Sequence, residues 1–387
     1  MTPALLMLAL CAGPAPVQAD GADTAAPGAG IRAVVLDGDP RDLPHAAEDR
    51  WADWSPDVLP PDVILPTFQA AVRAYTSGAL PVALGHLWTV LSEHPDYPPA
   101  LHQMGVIYFR LRRYGDAVHV LERFFARAPD EVAETRALAH SYYSLGRYDD
   151  ALRHYARVLA AQPGMVEALR GIALAHMRLG DAAQALEYLE RVIALAPDHA
   201  DAWAWRARLL FDEDRTEDAL AAAERARDLD AFEPRPWFLL AQVLYELERD
   251  EDAAVARRRF EALDRVAQET RALEAQLLYD PNQPEVLKNL ARYRGSVGDV
   301  PRTRKALQRL MRIDARRTEW NVFALDVLEG IGDEDGAAVV VTALETNCAG
   351  APETWKRLER YYGRLRHRVK QVQAGERYRL LSGTDDH

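Results

Sequence analysis

From Ile64 onward, apolar residues recur at spacings of three and four, the period of an amphipathic helix rather than of a strand, and the whole pattern returns every thirty-four residues. Its anchor is an alanine: Ala83, Ala117, Ala151, Ala185, Ala219 and Ala253 stand at equal intervals. With that alanine as position 20 of a unit, position 8 is always small (Ala71, Gly105, Ala139, Ala173, Ala207, Ala241), as two closely crossing helices require. Positions 4, 7, 8 and 11 fall on one helical face, and 20, 24 and 27 on the face of a second helix. The spacing predicts six helix pairs over residues 64–267.

Punctuation supports the same division. Leu145-Gly146 and Leu179-Gly180 mark the turn between paired helices, and Pro95, Pro129, Pro163 and Pro197, at position 32, stop the second helix. With these residues in register, the units resemble the tetratricopeptide repeat, whose pattern runs W-x2-L-G-x2-Y, then Ala, an aromatic and Pro. The resemblance implies an all-α fold, a right-handed superhelical solenoid of antiparallel helix pairs.

After the sixth unit the register slips. Arg265 replaces the proline, and "ETRALEAQLLYD" continues helically to a turn at "PNQP", which predicts an extended last helix and a repeat block over 64–283. A weaker pattern resumes in residues 284–387. Leu287, Leu290, Ala291, Gly298, Leu307 and Leu310 fit one degenerate repeat, and Leu325, Gly332, Ala337 and Leu344 a second. Trp355, Leu358 and Tyr362 open capping helices, whose outer face is expected to meet water.

The N-terminus differs. Residues 1–19, "MTPALLMLALCAGPAPVQA", have no charged side chain, an apolar run from Ala4 to Ala12, and the small-residue ending Val17-Gln18-Ala19. They read as a signal peptide cleaved after Ala19, which predicts export, with a periplasmic destination. Leu10 stands where a lipoprotein signal wants a small residue, so Cys11 is read as part of the apolar run rather than an anchor. Its removal leaves Cys348 alone, and no internal disulfide is expected. Residues 20–63 read as a linker followed by a proline-broken arm with Trp51 and Trp54.

Composition changes the picture in one respect. The formal net charge of −12 argues against a general nucleic-acid or membrane-surface binder, while leaving room for a local basic site. The sequence contains no HExxH, GxSxG, GxxxxGK or CxxC motif, and its eleven histidines show no metal-ligand spacing, so no metal or cofactor is expected. Asp333-Glu334-Asp335 lacks the further ligands of a calcium loop and reads as a solvated turn.

In the tetratricopeptide family the first helices line a concave groove, which by resemblance is read at positions 2, 5, 9, 12 and 13. Position 12 is Tyr75, Phe109, Tyr143, Met177, Phe211 and Tyr245; it serves either ligand contact or packing between neighbouring helices. Positions 5, 9 and 13 supply His102, Arg136 and Arg170, then His140 and Arg208, then Arg110 and Arg178. Glu167, Asp201, Asp212 and Glu246 oppose them. Arginine's planar donor fork suits carboxylates, so the expected ligand is an acidic or C-terminal peptide segment of a protein partner. The carboxylate-clamp subtype of the family has Lys and Asn where Arg136 and His140 stand, so its specificity does not transfer.

The sequence therefore points to a non-enzymatic binding scaffold or assembly adaptor of the cell envelope. Two alternatives remain at this stage: an envelope-polymer hydrolase or transferase using His367, Glu353 and Glu359 in the C-terminal segment, or a cytoplasmic co-chaperone-like adaptor.

Overall fold

The computed structural model describes residues 64–128 and 135–383. The signal peptide, the arm with its tryptophans, and Pro129 lie outside the described residues. Those described form eighteen α-helices and no strand.

They run as consecutive antiparallel pairs. In the first part these are α1 (Leu65–Thr76) with α2 (Leu80–Glu93), α3 (Pro98–Arg110) with α4 (Tyr114–Arg127), α5 (Thr135–Ser144) with α6 (Tyr148–Ala161), and α7 (Val166–Leu179) with α8 (Ala182–Leu195). Next come α9 (Ala200–Asp212) with α10 (Thr216–Leu229), and α11 (Pro234–Glu246) with α12 (Asp250–Tyr279). Helix α12 has thirty residues where the preceding second helices have fourteen, the extension that the missing proline implied. The last pairs are α13 (Pro284–Ser296) with α14 (Val300–Ile313), α15 (Thr318–Gly330) with α16 (Glu334–Asn347), and α17 (Pro352–Arg364) with α18 (Arg368–Ser382). The chain divides into two compact units, with the boundary inside α12 between Arg257 and Arg258 and Leu278–Pro281 counted with the first.

One backbone feature shows that all nine described pairs share a turn. Residue 15 of each pair has a positive φ: Gly78, Arg112, Gly146, Gly180, Asp214, Glu248, Gly298, Gly332 and Arg366, all between 54° and 82°. Glycine adopts this left-handed conformation freely; in four pairs a side-chain-bearing residue is held there instead, by the helices packed on either side.

The small residues do what their spacing requires. Ala71, Ala139, Ala173 and Ala207 at position 8, and Ala83, Ala117, Ala151, Ala185 and Ala219 at position 20, are completely buried. At Gly105 a Cβ would lie 2.5 Å from the Leu121 side chain, so the helix crossing needs glycine itself. Around these contacts the first unit buries Leu87, Tyr97, Met104, Tyr108 and Tyr155, while the second buries Leu287, Leu307, Leu325, Leu344 and Leu358.

One expectation is corrected. Asp333 is not a solvated turn residue: it is buried, accepts from the Gly336 amide at 3.0 Å as the N-cap of α16, and takes both Nε and Nη2 of Arg304. The turn is tight enough to bring the carboxylate under two N–H donors, a role that a run of acids does not disclose. On the outer face of α18, Val369, Val372 and Leu380 are exposed at 65%, 51% and 67%.

Candidate interaction groove

In the first unit, first helices of neighbouring pairs pack on one another, α3 on α5, α5 on α7 and α9 on α11, whereas second helices do not do so to the same extent. The row of first helices is therefore the tighter, concave side of this unit, where the predicted groove residues stand.

Five members of the position-12 series are half-buried and packed against core side chains: Tyr75, Phe109, Tyr143, Met177 and Phe211. Packing between helices thus accounts for much of their recurrence. Tyr245 is the exception, at 71% exposure. His102 sits apart from the rest, with its ring 5.3 Å from that of Phe124 in its own pair.

The centre of the groove is an aromatic cluster around His140 on α5. Phe109 meets the imidazole edge-to-face at 5.4 Å, and Tyr114 and Tyr143 each lie 6.1 Å away. From below, the Tyr155 hydroxyl approaches His140 Nδ1 at 3.5 Å. Tyr155 reaches this place because α7 carries Gly171 beneath its ring, where a Cβ would come within 2.3 Å. Burial, together with Arg170 and Arg136, lowers the His140 pKa, so at neutral pH the ring is an uncharged part of the cluster. It does not add to the positive charge of the groove, contrary to a count that groups it with the arginines.

The arginines divide into two sets. Arg170 binds Asp201 at 3.1 Å and shares it with Arg235, and Arg208 pairs with Asp212 at 2.9 Å, so the acids of the later units neutralise these two. Arg110, Arg136 and Arg178 have no carboxylate partner among the described residues. Arg110 instead lies over the Tyr75 ring at 5.0 Å, and Arg178 Nε donates to the Tyr143 hydroxyl at 3.4 Å. Each thereby reaches the aromatic of the preceding pair, which orients the guanidinium without consuming its charge. The result is a neutral aromatic floor edged by three exposed cations on α3, α5 and α7 that no carboxylate among the described residues compensates.

Sequence reasoning missed Tyr155, Tyr114 and Tyr148, because it looked only along first helices. Tyr148 lies 5.6 Å from Tyr143 with its ring tilted by 58°, and all three come from second helices. Gly171 was the available signal: a glycine inside a helix pattern marks a close approach.

The second unit offers a different arrangement. A cavity of about 430 Å³ between α15 and α17 is lined by Arg357, Arg360, Arg364, Asp326 and Glu329. There Glu329 is bound by both Arg357 and Arg364, and Arg357 also binds Asp326 at 2.6 Å, so most of the charge is internally satisfied. His367 is the N-cap of α18 and lies 6.0 Å from Tyr362, while Glu353 is exposed on the first turn of α17. Among the described residues no contact joins His367, Glu353 and Glu359, and no group of His, Cys, Asp and Glu could hold a metal ion. No described helix is long and apolar enough to cross a membrane.

Residues 136–198, 172–234 and 207–263 match the tetratricopeptide repeat family model, which includes most of the groove. This stretch, about a third of the chain, is thus similar to a tetratricopeptide repeat array, which suggests a protein-interaction scaffold. No curated protein matches the chain. Similar solved structures include "MamA 41-end from Desulfovibrio magneticus RS-1", at 21% identity over 44% of this chain and 94% of that one, with a TM-score of 0.40. Another is "MamA RS-1 ArsTM double mutant", at 19% identity over 44% of this chain and 96% of that one, with a TM-score of 0.42. Superpositions this loose carry no functional argument.

Proposed function

We propose that this protein is a non-enzymatic binding scaffold or assembly adaptor of the bacterial cell envelope, holding an acidic or C-terminal peptide segment of a protein partner in the first unit's groove. The observation that supports it most is the set of cations without a carboxylate partner among the described residues, Arg110, Arg136 and Arg178, edging a neutral aromatic floor. A peptide carboxylate would replace water at these guanidinium groups, and its apolar side chains would lie on Phe109, Tyr143 and His140. The apolar run Ala4–Ala12 and the small-residue ending Val17-Gln18-Ala19 support export, with the mature chain beginning at Asp20.

The test is the double substitution Arg136→Ala with Arg178→Ala in the full chain. Both side chains are exposed, so helicity by circular dichroism stays unchanged. Affinity for a glutamate-rich peptide with a free C-terminus falls at least tenfold, because a hydrogen bond to a charged group is worth about 1.5–3 kcal/mol. The same affinity in the variant removes the groove assignment, and a chain that begins at Met1 and is recovered in the cytoplasmic fraction removes the export assignment.

A further inference from the structure

The last pair of helices differs in charge from the rest of the molecule. Residues 352–383 hold nine Lys and Arg against three Glu, a net +6 within a chain of net −12. On α18, Ala374 and Gly375 face the core, which turns the opposite face outward. Val369, Val372 and Leu380 share that face at helical spacing, all more than half exposed, with the exposed Glu376 between the last two and Leu365 just before the helix, at the end of α17. Arg368 and Arg379 lie along one flank of the stripe, and Lys370 and Arg377 along the other.

Among the described residues none of these four cations is paired with a carboxylate. Arg377 lies over Trp355 at 5.9 Å, Lys370 reaches the Tyr362 hydroxyl at 3.4 Å, and Arg379 Nε donates to the Gly375 carbonyl at 3.5 Å. An apolar stripe with unpaired positive flanks fits a segment that is apolar in the middle and acidic at its edges.

The chain contains such a segment. Residues 20–63 hold ten Asp and Glu against three Arg, a net −7. Their apolar residues, Val34, Val35 and Leu36, then Trp51, Trp54, Val58 and Leu59, are interleaved with Asp37, Asp39, Asp42, Asp53 and Asp57. We propose that the acidic segment 20–63 of a second copy docks on the outer face of α18, joining copies through charge-matched, unlike surfaces. An anionic lipid surface is the competing occupant, and the net −12 of the chain opposes it. Because the two surfaces differ, the contact is heterologous, and species larger than a dimer follow as concentration rises.

The inference is independent of the groove and is tested without a groove ligand. Full-length chains in light and heavy isotope forms are mixed and treated with a zero-length carboxyl-to-amine cross-linker, which reads Lys370 and Lys356, two of the four lysines. The expected result is isotopically mixed links from these lysines to acids of segment 20–63. Their yield drops at least fivefold in Val369→Asp/Val372→Asp, whose side chains are exposed, and likewise in Asp37→Asn/Asp39→Asn/Asp42→Asn. Links confined to Glu359 or Glu376 overturn the proposal, as do unmixed links, which would place the segment on its own chain. So does cosedimentation with phosphatidylglycerol vesicles without links to the segment.

Discussion

Tyr155→Ala lowers the stability of the first unit by about 4 kcal/mol, within the range of roughly 3–5 kcal/mol for truncating a buried aromatic. The ring is 2% exposed and fills the space that Gly171 leaves open, so its removal creates a cavity under the groove floor. Helices α5, α6 and α7 have little means of closing it, since their crossing points are already alanine and glycine. Hydrogen exchange of the α5–α7 amides reads the loss. Tyr155→Phe separates the ring from its hydroxyl: it keeps the packing and forfeits only the approach to His140, about 1 kcal/mol. A loss below about 1 kcal/mol for the alanine variant would contradict the packing described here.

Asp333→Ala costs the second unit about 2–3 kcal/mol, combining a lost helix cap of about 1 kcal/mol with loss of the Arg304 bonds. The same residue gives the unit an acid limb. Burial alone would raise the Asp333 pKa, but the Arg304 bonds and the Gly336 amide override it and hold the carboxyl below its ordinary 3.8. A depressed folded value means that the contribution is complete above the unfolded pKa and is lost as pH falls below about 4, through the folded pKa. Asp333→Asn should therefore lower the neutral-pH plateau and flatten the decline in acid, as followed by denaturant midpoints between pH 2 and 7. An unchanged acid slope would place the titrating group elsewhere.

What was legible in the sequence is what repeats. The alanines at positions 8 and 20 and the Leu-Gly turns are set by helix crossing and a left-handed residue, constraints common to every pair. Arg112, Asp214, Glu248 and Arg366 adopt the same left-handed turn with no glycine to announce it, because tertiary packing imposes what local preference does not. Charge pairing was less legible. That Asp201 takes up Arg170 and Arg235, while Arg136 has no such partner among the described residues, depends on which side chains meet across thirty or more residues. Asp333 and the stripe on α18 escaped for the same reason: burial belongs to the neighbours, not to the residue. The aromatic floor was half visible, in Phe109 and Tyr143, and its other half comes from second helices that the periodicity assigns only to packing.

The central claim is that the row of first helices in the first unit receives an acidic segment. Hydrogen-exchange footprinting of the full chain with the glutamate-rich peptide tests it most directly. The account predicts protection within Pro98–Arg110, Thr135–Ser144 and Val166–Leu179, with α4, α6 and α8 unaffected. Protection confined to those second helices, or to the second unit, would contradict it.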